Sequence, residues 1–301
     1  MSSTMLQLMQ QTTIELGLAS PTYVAGNTSQ EIVQLLGLMN AAGYELIKEY
    51  DWRIIQKEYR FYTQAVTTTG DAVDGSYDII NVANTTGIVA NKWMVTGTGV
   101  PQDCYVVAVV GSTVTLNQPL EQSGVGITFT FGQTKYDLPP DYEVVTDRTQ
   151  WDKTKHWEML GPEDAQQWQW LKSGYISTGP RIRWRILGEY FQVWPMMNTQ
   201  EYLGFEYRSK AWAESSTGTP KNSFTADTDL SLLDDRVLVL LTKLKFLQIK
   251  NFDTTAISQD YQRYLSVAKS NDKGAPNLSF APYPSKVLIG YANIPDTGYG
   301  S

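Results

Sequence analysis

One histidine and one cysteine stand alone in this chain, His156 in Lys153-Thr154-Lys155-His156-Trp157 and Cys104 at the head of an apolar run. A histidine can serve as a general base near neutral pH. Neither residue has the companions needed for a zinc site, a disulfide framework or a Cys/His nucleophile pair. His156 therefore reads as a surface or interface histidine beside an aromatic, and Cys104 as a small buried hydrophobe. Carboxylates offer the other route to chemistry, because cleaving a glycan takes an acid and a nucleophile or base. The closest pairs are Asp227/Asp229, Asp234/Asp235 and Glu163/Asp164. All three precede or begin predicted helices, where capping accounts for acidic residues. Gly97-Thr98-Gly99 and Gly124-Val125-Gly126 lack the Gly-Lys-Ser/Thr ending and the following helix of a phosphate loop. These residues predict a non-enzymatic chain with no catalytic residues, no cofactor and no metal.

The 301 residues suffice for one large or two ordinary domains. Charged residues make up only 18% and hydrophobic residues 42%, which leaves a polar but weakly charged surface of the kind that suits lasting protein contacts. The net charge is −7 and no Lys/Arg block runs along any segment, so recognition of nucleic acid through its phosphates is not expected. The N-terminus has neither the charged nor the apolar region of a signal peptide. No apolar run comes near the roughly 20 residues a membrane span needs, Val237 to Leu241 being one of five. A soluble chain, cytoplasmic at synthesis, is expected.

The elements that must position these residues follow from periodicity. Met5, Leu8, Met9, Thr12 and Leu16 recur at helical spacing behind a Ser3 cap candidate. Thr28 and Glu31 have the spacing of a capping box, which opens a second helix through Leu35, Met39 and Leu46 to Asp51-Trp52, with Gly43 as a point of close helix approach. From 63 to 132 the composition changes. Nine of the 23 glycines fall there, and short alternating runs are separated by Gly, Asn and Pro turns, as in a small sandwich-like all-β domain inserted between helical segments. Seven of the nine tryptophans lie between 133 and 221, and they suit a core or an interface equally well. Arg181 to Ile186 and Tyr190 to Trp194, joined by Gly188-Glu189, predict a hairpin, and Tyr202 to Arg208 is expected to extend its sheet. A short helix is expected after Pro162. Asp234 and Asp235 open a leucine-rich helix that pairs with a second one through Tyr261 and Leu265. After Gly274 the periodicity vanishes into prolines and aromatics, which predicts an extended arm that orders against a neighbouring subunit or another protein.

Read in order, Glu49-Tyr50-Asp51-Trp52, Tyr136-Asp137-Leu138-Pro139-Pro140-Asp141-Tyr142, Trp151-Asp152, Trp168-Gln169-Trp170-Leu171, Ala226-Asp227-Thr228-Asp229 and the closing helices resemble the head-to-tail adaptor (connector) proteins of short-tailed bacteriophages. The resemblance covers 28–55 and 133–270. The segment between them looks like a β-module that recurs in phage virion proteins and departs from the plain adaptor pattern.

The resemblance implies an α+β fold: a helical bundle core with a small mixed sheet, interrupted by the β-domain and closed by the arm. The domains would be 1–62, the N-terminal helical part of the adaptor core; 63–132, the inserted β-domain; 133–273, a short sheet plus helical hairpin; and 274–301, the arm. It further implies a virion protein whose partners are copies of itself in a ring that is commonly twelve-fold, the portal protein, and downstream nozzle or fibre proteins, with DNA as a non-specific passenger and no membrane. Phe280, Tyr283, Tyr291 and Tyr299 of the arm, with Trp168 and Trp170, are the residues expected at partner contacts. The alternative is a receptor- or glycan-binding tail component, in which the β-module and exposed aromatics hold sugars.

Overall fold

Helix α1 (Met5–Glu15) begins at Thr4, whose hydroxyl accepts the Gln7 amide while the Gln7 side chain accepts the Thr4 amide. The reciprocal cap is therefore one residue later than Ser3, whose hydroxyl donates instead to Asp235 at 2.6 Å. Helix α2 (Gln30–Glu49) buries Ile32, Leu35, Met39, Ala42, Gly43, Leu46 and Ile47, one stripe at spacings of three and four. Its cap is Ser29, without a side-chain bond, and the Thr28–Glu31 box predicted there does not form. Gly43 is a point of close approach, but to the indole of Trp212 rather than to another helix: a Cβ at this position would lie 2.3 Å from Trp212 Cε2. The computed structural model describes residues 3–173 and 181–273, so the expected arm with Phe280, Tyr283, Tyr291 and Tyr299 lies outside the described residues.

After a short 3-10 turn at Arg53–Ile55 the chain becomes strand-rich. Strand β1 (Gln56–Tyr62) precedes β2 (Ala65–Ala72), β3 (Asp78–Ile79), β4 (Trp93–Gly97), β5 (Val106–Val110), β6 (Thr113–Leu116) and β7 (Gly124–Gln133). These last six form two three-stranded antiparallel sheets, in the orders β2-β7-β4 and β3-β6-β5. Their inward residues, among them Ile79, Trp93, Val95, Cys104, Val106, Val114, Phe129 and Phe131, make one core. Bridges Asp71–Ile80 and Met94–Tyr105 link the two sheets at both edges, so the arrangement is closer to a closed barrel than to an open sandwich.

The chain continues through β8 (Lys135–Asp137), β9 (Tyr142–Val145), β10 (Trp151–Asp152) and β11 (Trp157–Glu158) to helix α3 (Ala165–Lys172), which Asp164 caps through the Gln167 amide. Strands β12 (Arg183–Leu187) and β13 (Tyr190–Trp194) form the predicted hairpin, with Leu187 opposite Tyr190 and Gly188 in the left-handed region at φ 62°. The third strand of that sheet is β8. Strand β14 (Tyr202–Ser209), expected there, pairs instead with β1 along its whole length and with β9 and β10 on its other edge. The short strands β15 (Ala213–Glu214), β16 (Pro220–Lys221) and β17 (Leu230–Ser231) form a small sheet that leads to α4 (Asp235–Ile249) and α5 (Thr255–Lys273).

The expectation of a helical bundle core is overturned. Seventeen strands in five antiparallel sheets outnumber five helices among the described residues, and an α+β class in which strands predominate replaces it. Helices α1, α2 and α5 do pack on α4, whose residues Val237 to Thr242 are buried without a break. That cluster also takes in Trp212, Ala213 and Phe224 from the strand-rich part, and two further cores contain strand and loop residues alone. Among the described residues every strand pair within the sheets is antiparallel, and the only parallel pairing is the isolated bridge of Leu160 to Arg183 of β12. The overestimate has a simple origin. A 20-residue helix repeats its stripe five times, whereas a two- to five-residue strand offers too few turns of its period to register.

Candidate functional site

The residues singled out for chemistry prove to be spread across the molecule. Cys104 is fully buried among Ile79, Val106 and Phe129 in the β2–β7 core, and burial pushes its thiol up to about 11. With an ordinary value of 9.0, about a hundredfold less thiolate is present at pH 8. A disulfide reagent at pH 8 is therefore expected to leave the native chain unmodified and to label it once urea unfolds it. Fast labelling of the native chain would show that this core opens readily.

His156 sits in the left-handed region at φ 58°, in the turn between β10 and β11. It is exposed at the rim of a shallow cleft with Glu58, Trp151, Lys153 and Glu206. Glu58 and Glu206 face each other across β1 and β14. Glu58 is held by Arg60 and Lys153, and these bonds bring its carboxyl down to about 2. A carboxylate so acidic is a poor general acid.

The paired carboxylates hold loops and helix ends. Asp234 caps α4 through the Val237 amide at 3.0 Å, and Glu163 pairs with Arg183. Asp227 and Asp229 do not cap helices, contrary to the sequence reading. Asp227 accepts the Val24 and Ala25 amides, tying the α1–α2 connection to the loop before β17. Asp229, 1% exposed, accepts Lys221 at 2.7 Å and the Thr225 and Ala226 amides at 2.8 and 2.9 Å. The glycines have similarly local duties. Gly99 turns the chain after β4 at φ 74°, and the Gly126 amide donates to Asp71. Among the described residues no group of three or more His, Cys, Asp and Glu is placed to hold a metal ion. No described helix is long and apolar enough to cross a membrane.

The Tyr136–Tyr142 landmark is where the strand-rich part is tied together. The Tyr136 hydroxyl donates to the Gln133 carbonyl at 2.8 Å, and its ring lies 4.6 Å from that of Phe61. Asp137 pairs with Lys92, and Leu138 packs into the aromatic core of Phe191, Phe205 and Trp184. Asp141 is a buried hub that accepts Lys57 of β1 at 2.7 Å and the hydroxyls of Tyr207 and Ser209 of β14 at 2.8 Å each. Burial opposes ionisation of Asp141, but the Lys57 ammonium and the two hydroxyls outweigh it, and its carboxyl stays below the usual carboxylate value. The sequence showed this element as its most distinctive landmark yet gave Asp141 no role. A carboxylate following Pro-Pro next to alternating aromatics was the available signal.

The tryptophans divide between core and surface. Trp184 and Trp212 are fully enclosed, and Trp168 and Trp194 lie in a small cluster with Met94 and Leu171. Trp168 and Trp170 are two positions apart, so a helix turns them to opposite sides. Trp168 faces inward beneath the Arg185 guanidinium, 4.4 Å above its ring, whereas Trp170 is 53% exposed. Other large apolar side chains at the surface are Tyr44 on α2, Tyr62 at the end of β1, stacked on the half-buried Tyr202 of β14, and Phe252 after α4. Trp157, at 38%, and Tyr264 on α5, between Arg236 and Arg263, are exposed as well. What the surface offers is separate aromatic anchors with cations beside several of them, a composition that protein interfaces favour.

Comparison with curated proteins finds no match. A family model does match: that of the SU10 adaptor protein, over residues 111–280. The match starts inside the β5–β6 turn, runs through the Tyr136–Tyr142 landmark and the tryptophan-rich stretch, and ends beyond α5; it does not reach 28–55. More than half of the sequence is covered, and the chain belongs to the SU10 adaptor protein family.

Proposed function

We propose that this chain is a subunit of a ring that joins the portal of a phage head to its tail and surrounds the path of the DNA. Family membership supports a structural adaptor of a phage, a component of the virion that contacts other head or tail proteins. The observation that carries the reading is this match across the landmark and the tryptophan-rich stretch. Physical features support the finer part. A closed ring needs two different complementary faces on each subunit, and exposed aromatics occur on three different helices, Tyr44 on α2, Trp170 on α3 and Tyr264 on α5. A net charge of −7 disfavours tight binding of the duplex and suits a conduit that DNA must pass. Residues 63–132 form the module that faces outward from this ring, and 274–301 form the arm that reaches a neighbour.

Mixing the full chain with purified portal and imaging by electron microscopy tests this. Density added beneath the portal as a ring is the expected result, and failure to bind portal under any condition would refute it. Within that assay, Trp170→Asp is expected to leave thermal unfolding within about 0.5 kcal/mol of the parent, as exposed substitutions do, and to lower assembly at least tenfold. Unchanged assembly would remove Trp170 from the contact.

A further inference from the structure

The β2–β7 segment meets the rest of the chain along a seam whose dry part is Met94, Trp168, Leu171 and Trp194, with Met196 beside it. Gly132 sets how closely the two sides approach, since a Cβ there would lie 2.4 Å from Met196 Cγ and 2.6 Å from the Met197 carbonyl. Next to this dry contact the surfaces part and leave a partly open cavity of about 180 Å³. A water needs only roughly 10–15 Å³.

The charge around this cavity is unbalanced. Lys92, Lys135, Lys172 and Asp103 line it. Lys92 is paired with Asp137 at 2.6 Å, and Lys172 with Asp103 at 2.7 Å. Among the described residues no carboxylate comes within ion-pair distance of Lys135. Burial, and after it the neighbouring Lys172 and Arg185, depress its pKa against a smaller pull from Asp103. A local excess of cations in a chain of net charge −7 lacks its counter-ion. Two buried donors lack acceptors as well. Trp93 and Trp194, 2% and 6% exposed, both line the cavity, and neither indole N–H has a hydrogen-bond partner among the described residues. Buried donors are normally satisfied, so two orphans beside one surplus ammonium call for an acceptor.

We propose that this cavity binds a small oxyanion of the phosphate class, held by Lys135 and Lys172, with the Trp93 and Trp194 side chains in the lining beside it. Asp103, the one carboxylate in the lining, is already engaged by Lys172, and the remaining polar groups include Asn91, Thr134 and Gln192. A lining so rich in donors suits an ion with several acceptor oxygens better than a monocarboxylate. Trp93 comes from β4, Lys135 from β8 and Trp194 from β13. The bound ion would thus fasten the β2–β7 segment to the rest of the chain. This inference stands apart from the ring proposal, because it concerns the isolated chain.

The test is a titration of inorganic phosphate into the full chain labelled with ¹⁵N at its indoles, at constant ionic strength. Of the nine indole signals, the two that Trp93→Phe and Trp194→Phe remove are expected to shift saturably. Lys135→Met and, independently, Lys135→Gln should weaken the apparent affinity at least tenfold, and acetate should bind at least tenfold more weakly than phosphate. Thermal unfolding of each variant without phosphate shows that it is folded. The proposal is overturned if neither signal saturates with phosphate, if chloride produces the same shifts, if acetate binds as well, or if a folded Lys135 variant retains the parent affinity.

Discussion

Trp212→Ala is expected to cost about 3–5 kcal/mol, the range for truncating a fully buried tryptophan, and to leave the helical end of the chain unfolded at moderate temperature. Trp212 has no exposed surface, donates its indole N–H to the Asn222 carbonyl at 2.8 Å and meets Phe224 edge-on at 4.6 Å. It is also the residue against which Gly43 packs. Gly43→Ala gains roughly 1 kcal/mol of helix propensity, but a carbon 2.3 Å from Cε2, 2.5 Å from Cδ2 and 2.5 Å from Cζ2 cannot be accommodated in place. Overpacking of this kind costs about 1–3 kcal/mol, so the clash prevails and the variant is destabilised. All three atoms belong to the six-membered ring of the indole. The double variant Gly43→Ala/Trp212→Phe should therefore lose less than the sum of its parts in urea unfolding. Strict additivity would show that the two residues do not meet.

Asp229→Ala carries the second large effect, about 3–5 kcal/mol, because removing one partner of a buried ion pair strands the other. Lys221 would lose its counter-ion, and the Thr225 and Ala226 amides would lose their acceptor. The pH dependence has a definite sign. Burial alone would raise the carboxyl, but Lys221 and the two amides more than compensate, so its pKa in the folded chain lies below the ordinary 3.8. A depressed carboxylate stabilises the fold above its unfolded value, and this contribution is lost as pH falls through the folded one. Asp141 behaves alike for its own reasons. Unfolding free energy should be flat in these terms above pH 5 and fall steeply below 3.8, and Asp229→Asn should show a shallower fall. An identical acid profile in the variant would mean that Asp229 is not ionised in the native chain.

Much of the helical part was legible in the sequence. The stripe Ile32, Leu35, Met39, Leu46 and the run Val237 to Leu241 repeat often enough to identify α2 and α4, and Asp234 and Asp164 cap helices as acidic residues at such positions do. The hairpin at Gly188-Glu189 was readable because a two-residue loop with a residue in the left-handed region leaves a sharp local mark. What failed involved a choice among equivalent partners. Thr28 and Thr4 both had capping chemistry, and only Thr4 has its box closed, while Ser3 is drawn to Asp235, 232 positions away. Strand β14 alternates well enough for any sheet, and its register with β1, Gln56 opposite Arg208 through Tyr62 opposite Tyr202, is set by contacts that no local pattern encodes.

The candidate surface shows the same division. The sequence by itself determined that this chain has too few histidines and cysteines for clustered metal or redox chemistry, that Asp164 and Asp234 stand where helix amides need acceptors, and that its tryptophans are concentrated between 133 and 221. Only the tertiary structure decided which tryptophans are core and which are surface, that Asp141 joins β1 to β14, and that Lys135 and two indoles share one cavity. The reason is physical: composition and period act between neighbours along the chain, whereas burial and ion pairing depend on which distant segments come within a few ångströms of each other.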